Sequence, residues 1–266
     1  MGKAPLSDLH AMLEKVGRER HARRLNRVAN HPEVAPWIRG TLEGELDFTP
    51  VVQDDRNYLL MSQHGGLLFT QMTPGIYEAH TVTLPEGRGE WALGMARACL
   101  HYMFTRTDMM ELVTRCPRGN LGAISLARAA GCQQAYVTPA NWHLKTKDVP
   151  STVFTLTLQQ WLLNAPGLIE RGQWVEKRLG YAGLALTKTP DPEAYRYMGL
   201  AFELFLNGAI SKSLFLLKRW MPLAGHGEVE LVSSDPTTIG FRGAMIVVKN
   251  GDFYVAGADR KFNALC

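Results

Sequence analysis

Ile76-Tyr77-Glu78-Ala79-His80-Thr81-Val82-Thr83-Leu84, followed by Pro85-Glu86-Gly87-Arg88-Gly89, decides the fold. The first nine residues alternate. Ile76, Glu78, His80, Val82 and Leu84 fall on one side, and Tyr77, Ala79, Thr81 and Thr83 on the other. A period of two is the signature of a β-strand with two distinct faces. The Pro–Gly cluster stops that strand. Beyond it Ala92, Met95, Ala96, Cys99, Leu100, Met103 and Phe104 recur at helical spacing, the best helix in the chain. A strand ending in a glycine-rich turn that opens a helix is an arrangement suited to anions, because free N–H groups at the helix start face outward.

Working outward, the flanking segments extend an α/β pattern. Upstream, Tyr58–Met61 and Leu67–Met72 read as strands, with Gly65-Gly66 and Thr73-Pro74-Gly75 as turns, which predicts an antiparallel meander. Downstream come a strand at Met109–Cys116, a helix at Asn120–Ala130 closed by Gly131, and strands near Gln134–Thr138 and Ser151–Leu158. Ser7 is the expected N-cap of a first helix running to Ala29, ended by Asn30-His31-Pro32 and followed by a short helical turn toward Trp37. Past Gln159 the pattern turns helical: Leu162–Leu179 broken at Pro166, then Pro192–Asn207 and Ile210–Met221 as a helical hairpin. Strands are expected at Glu228–Ser233, Ala244–Lys249 and Phe253–Ala256, the last two joined by Asn250-Gly251 in a tight turn. The expected divisions are an N-terminal basic helix over residues 1–29, an α/β domain over 30–158, and an α+β extension over 159–266.

Composition is that of an ordinary globular chain: of 266 residues, 46% are hydrophobic and 20% charged. No run reaches the roughly 18 apolar residues that cross a bilayer, and no secretion signal opens the chain. A soluble, cytoplasmically made protein with no membrane partner is expected. Cys99, Cys116, Cys132 and Cys266 are too scattered for a disulfide framework or a metal site, and no metal is expected. Net charge is +4. Lys15, Arg18, Arg20, Arg23, Arg24 and Arg27 crowd the first helix, but Glu14 and Glu19 are interleaved and no aromatic accompanies them. A solvated helix face is the simpler reading, and nucleic-acid binding is not expected.

The order strand, Pro85–Gly89 turn, helix, strand, Asn120, helix, Gly131, strand resembles the GNAT acyltransferase family, in which the turn wraps the pyrophosphate of coenzyme A. His80–Cys132, together with Asn30–Trp37, is similar to GNAT-like proteins encoded by tailed bacteriophages. The resemblance covers about the first 158 residues. It implies a mixed, mostly antiparallel sheet flanked by helices, with a C-terminal helical and β-hairpin extension. It also implies acetyl-CoA or another acyl-CoA as cofactor if the protein is active, with Gly87, Arg88, Gly89 and Asn120 as the cofactor-binding set. Glu78 and His80, two residues apart on one strand face, are the candidate bases; the alternative readings are that both lie on the solvated side of a half-exposed strand, or that His80 is a hydrogen-bonded packing residue.

Several positions depart from the family pattern. Its turn reads Arg/Gln-x-x-Gly-x-Gly/Ala, and alignment on Arg88 puts Trp91 and Leu93 where small residues belong. Placing Gly87 and Gly89 at the glycines instead puts Leu84 where the arginine or glutamine belongs. The tyrosine that would protonate the departing thiolate is Ala127, and Cys132 stands in for a usual phenylalanine. Two functions follow from the resemblance: an acyl-CoA-dependent N-acyltransferase acting on an amine of a host or phage protein, or a virion-associated structural or assembly component with a degenerate site. The departures favour the second, which implies other phage virion proteins as partners, several copies in an assembly, and a location in the virion or host cytoplasm.

Overall fold

A computed structural model of the protein describes residues 16–165, 167–181, 192–220, 229–234, 237–241, 244–249, 252–256 and 262–264. The chain divides into two compact units, residues 1–104 with 108–161, and residues 105–107 with 162–266.

The first unit is a mixed α/β layer structure built on a seven-stranded sheet. Its strands are β1 (Gly17–Glu19), β2 (Tyr58–Ser62), β3 (Gly65–Thr73), β4 (Ile76–Thr83), β5 (Glu111–Pro117), β6 (Gln133–Leu144) and β7 (Lys147–Thr157). They lie in the order β1-β2-β3-β4-β5-β7-β6, every neighbour antiparallel except β4 and β5. The helices are α1 (Arg23–Ala29), α2 (Ala35–Ile38), α3 (Thr49–Gln53), α4 (Glu90–Arg106), α5 (Leu121–Ala129) and α6 (Leu158–Leu162); the last two residues of α4 and the last of α6 belong to the second unit. Against one face of the sheet, Leu25 and Val28 of α1, with Val34 and Val52, bury against Leu59, Met61, Leu68 and Val82. Met95, Cys99, Met103 and Phe104 of α4 are all at most 1% exposed, so this helix is core-embedded as its spacing implies.

Two expectations for this unit need correction. Residues 17–29 do not form one helix. Gly17–Glu19 pairs with Met61–Leu59 as an edge strand, and only Arg23–Ala29 is helical. The arginines explain this. Arg18 donates to the carbonyls of Asp55 and Asn57 and lies over the Tyr58 ring, Arg20 pairs with Asp55, and Arg24 bonds Glu19 and the Ser62 carbonyl. Three of the basic residues are therefore tied to their own fold. The expected helix over residues 8–15 lies outside the described residues. Second, Gly65 and Gly66 are strand residues, not a turn. A Cβ on Gly65 would come within 2.2 Å of the Val82 carbonyl oxygen, and one on Gly66 within 2.2 Å of that of Leu60. Glycine is there because neighbouring backbones approach closely.

The second unit holds α7 (Leu168–Tyr181), α8 (Pro192–Leu206) and α9 (Ile210–Trp220). Gly172 of α7 and Gly199 of α8 let these helices nearly touch; added Cβ atoms would lie 2.1 Å from the Tyr195 oxygen and 2.2 Å from the Leu168 oxygen. Tyr197 and Trp220 stack at 3.7 Å between α8 and α9. The hairpin expected over 244–256 forms, with Lys249 opposite Asp252; Asn250 and Gly251 lie outside the described residues. It is part of a larger antiparallel sheet of five strands, β8 (Val229–Ser234), β9 (Thr237–Phe241), β10 (Ala244–Lys249), β11 (Asp252–Ala256) and β12 (Phe262–Ala264). Among the described residues no helix is long and apolar enough to cross a membrane.

Candidate functional site

The site begins with a failure of pairing. β4 and β5 share a parallel ladder over only Ile76↔Glu111, Tyr77↔Leu112 and Glu78↔Val113. Each then stays with its antiparallel neighbour, β4 with β3 as far as Thr83 and β5 with β7 as far as Pro117. The sheet therefore opens between Ala79–Val82 and Thr114–Cys116. The Thr114 hydroxyl bridges the start of the opening, donating to the Ala79 carbonyl at 2.9 Å.

A cavity of about 1290 Å³ occupies the opening and reaches both faces of the sheet. On one side it is lined by Leu25, Val34, Phe48 and Val51; on the other by Leu93, Asn120 and Ala127. The whole lining belongs to the first unit.

His80 lines this cavity, on the same strand face as Glu78. Its Nε2 lies 3.3 Å from the Thr70 hydroxyl. Burial lowers its pKa below the ordinary histidine value; the Glu78 charge opposes that and the Arg115 charge reinforces it. His80 is therefore neutral at pH 7. Glu78 is buried instead of solvated, and Arg115 holds both of its oxygens, Nε to Oε1 at 2.7 Å and Nη2 to Oε2 at 2.8 Å. The fork also raises the Arg115 pKa. Neither Arg115 nor Thr70 stood out in the sequence as a site residue. The available signal was an arginine late in the strand run Met109–Cys116, whose only other charged residue is Glu111.

The predicted cofactor residues divide. Arg88, Gly89 and Asn120 line the cavity, whereas Gly87 does not. Gly87 is a packing glycine: a Cβ there would meet His64 at 2.5 Å and the Trp91 ring at 2.9 Å. Gly89 adopts φ +76, the left-handed region, with nothing within 4 Å of an added Cβ. The first amide of α4 with a helical acceptor is that of Leu93, bonded to the Gly89 oxygen, so those of Glu90, Trp91 and Ala92 have none within the helix. Asn120 caps α5 by accepting from the Ala123 amide at 3.0 Å. Arg88 pairs with Glu33 at 3.0 Å, both half-exposed, a contact of little energetic weight.

Trp91, which the alignment puts where a small residue belongs, does not line the cavity. Its indole packs edge-on against His64, centroids 5.2 Å apart. Leu93 does line the cavity. Ala127 is buried at the cavity wall beside Cys116 and Cys132. Burial pushes the thiol of Cys116 up to about 11 and that of Cys132 up to about 12. Both remain thiols at neutral pH, poor nucleophiles.

No sequence-family model matches the chain, and no curated protein does. Among solved structures, it is similar to a spermidine N-acetyltransferase from Vibrio cholerae in complex with CoA and spermine. Identity there is 11%, over 56% of this chain and 99% of that one, with a TM-score of 0.48. An acetyltransferase of the GNAT family from Bacillus anthracis matches at 13% identity over 54% of this chain and 95% of that one, TM-score 0.45.

Proposed function

We propose that the chain is an acyl-CoA-dependent N-acyltransferase. The observation that supports this best is the parting of β4 from β5 into one cavity that reaches both sheet faces. Such an opening lets a donor on one side meet an acceptor on the other. The residues present fit coenzyme A. Arg88, Gly89 and Asn120, with the free amides at the start of α4, would hold it, since helix N-termini carry partial positive charge. When bound, the cofactor supplies an acyl group activated as a thioester.

Neutral His80 takes the proton that the attacking amine must lose, and Thr70 steadies the ring. Glu78 is not the base in this scheme. With both oxygens engaged by Arg115, it positions the strand opening and tunes His80 through its charge. Cys116 and Cys132, kept protonated by burial, leave direct transfer to the amine in place of an acyl-cysteine route. Ala127 has no proton to give at the position where the family resemblance places the general acid.

The test is acetyl transfer by His80→Gln against Glu78→Gln. Loss of a general base typically costs about 10²- to 10⁴-fold. His80→Gln should lose kcat by that order with acetyl-CoA affinity retained, and Glu78→Gln should keep measurable turnover. The reverse ranking would move the base to Glu78. Wild-type protein that transfers nothing to any amine would remove the proposal.

A further inference from the structure

We infer that the acceptor is a primary amine carried on a compact apolar body, aromatic in preference to polycationic; this rests on the N-acyltransferase reading above. The half of the cavity on the α1–α3 side is where His80 meets the acceptor. Its wall is Leu25, Val34, Trp37, Ile38, Phe48 and Val51, an apolar surface continuous with the core cluster. The Trp142 indole N–H donates to the Trp37 carbonyl at 3.0 Å, so this polar group of the lining is already satisfied. His80, Thr70 and Arg115 are polar groups of the lining near the strand opening.

A polyamine needs carboxylates spaced along its length, because each buried ammonium must be paired. The described lining holds only Glu33 and Glu90 as acids. Glu33 is 58% exposed and engaged by Arg88, and Glu90 is exposed at the start of α4. Both are exposed, so neither offers a buried carboxylate to a second ammonium. The same wall favours the neutral form of an entering amine, because desolvation disfavours the ammonium. The neutral amine is the nucleophile, and a neutral His80 is ready to accept its proton. Trp37 and Phe48 line this chamber, and aromatic side chains suit an aromatic body.

The experiment measures kcat/KM with acetyl-CoA for methylamine, benzylamine, spermidine and a lysine-containing peptide, alongside acetyl-CoA affinity by calorimetry. Burying a benzene-sized group corresponds to about ten- to hundredfold in selectivity. Benzylamine should exceed methylamine by that factor and should also exceed spermidine and the peptide. Phe48→Leu, which keeps most of the core volume, and Val51→Trp, which fills the chamber, should each lower the benzylamine-to-methylamine ratio. Circular dichroism melts establish that both variants are folded. Preference for spermidine or the peptide, a ratio near one, or a ratio untouched in both folded variants overturns the chamber assignment while leaving the acyltransferase reading standing. No acetyl-CoA binding, or no transfer to any amine, overturns both.

Discussion

Removing Arg115 should destabilise the first unit more than neutralising Glu78, although the two share one interaction. The Glu78 side chain is 9% exposed and that of Arg115 is 43% exposed. Arg115→Met leaves a carboxylate in the sheet with neither solvent nor a cation. Stripping a partner from a fully buried pair costs about 3 to 5 kcal/mol, and the exposure of the arginine places this case at the low end, about 3 kcal/mol. Glu78→Gln leaves a guanidinium that can reach water, so the loss is nearer that of a charged hydrogen bond, about 1.5 kcal/mol. The double variant leaves no orphaned charge and should lose about 2.5 kcal/mol, a coupling near 2 kcal/mol. Equilibrium urea unfolding of the four proteins, followed by tryptophan fluorescence, reads these values. Equal single losses, or coupling below about 0.5 kcal/mol, would refute the buried fork.

Burial sets the pH response of His80, and the same pair adjusts it in opposite directions. Because burial lowers its folded pKa, the base stays neutral as pH falls through the ordinary histidine range and is lost only below it. The acid limb of kcat/KM should therefore lie below 6.5, moving lower in Glu78→Gln and higher in Arg115→Met; a limb above 6.5 in the wild type would remove His80 as base. Asn120→Ala deletes the cap of α5 and should cost about 1 kcal/mol in urea unfolding while weakening acetyl-CoA binding; an unchanged midpoint would show that the Ala123 amide finds another partner. Gly172→Ala drives a Cβ into the Tyr195 carbonyl and should cost about 3 kcal/mol or more in the second unit, read as a lowered calorimetric transition; a change under about 0.5 kcal/mol would deny the close helix crossing.

The sequence carried β2 to β4, α4, α5 and the Gly131 turn because each depends on local periodicity or on one residue's conformational freedom. It did not reveal β1. Gly17-Arg18-Glu19 has no apolar alternation, and charged residues are what an edge strand uses. Nor did it reveal β9 or β12, which are short and take their place from neighbouring strands. Among the residues lining the cavity, His80 and Asn120 drew notice from type and position. Arg115 was not, since its partner is 37 residues away and the two meet only through the parallel register of β4 and β5. Trp91 shows the opposite error. Alignment gave its place in the turn, but the direction of its ring follows from the space left by Gly87 beside His64.

The central claim is that the cavity between β4 and β5 takes an acyl-CoA. Titrating acetyl-CoA into the purified chain by calorimetry tests it without assuming a substrate. One-to-one binding is predicted, with Kd between about 1 μM and 1 mM as for ordinary enzyme ligands. Filling the opening with Ala127→Trp should weaken it at least tenfold. Absence of heat and of thermal stabilisation at several millimolar acetyl-CoA would contradict the account and leave the fold as a scaffold.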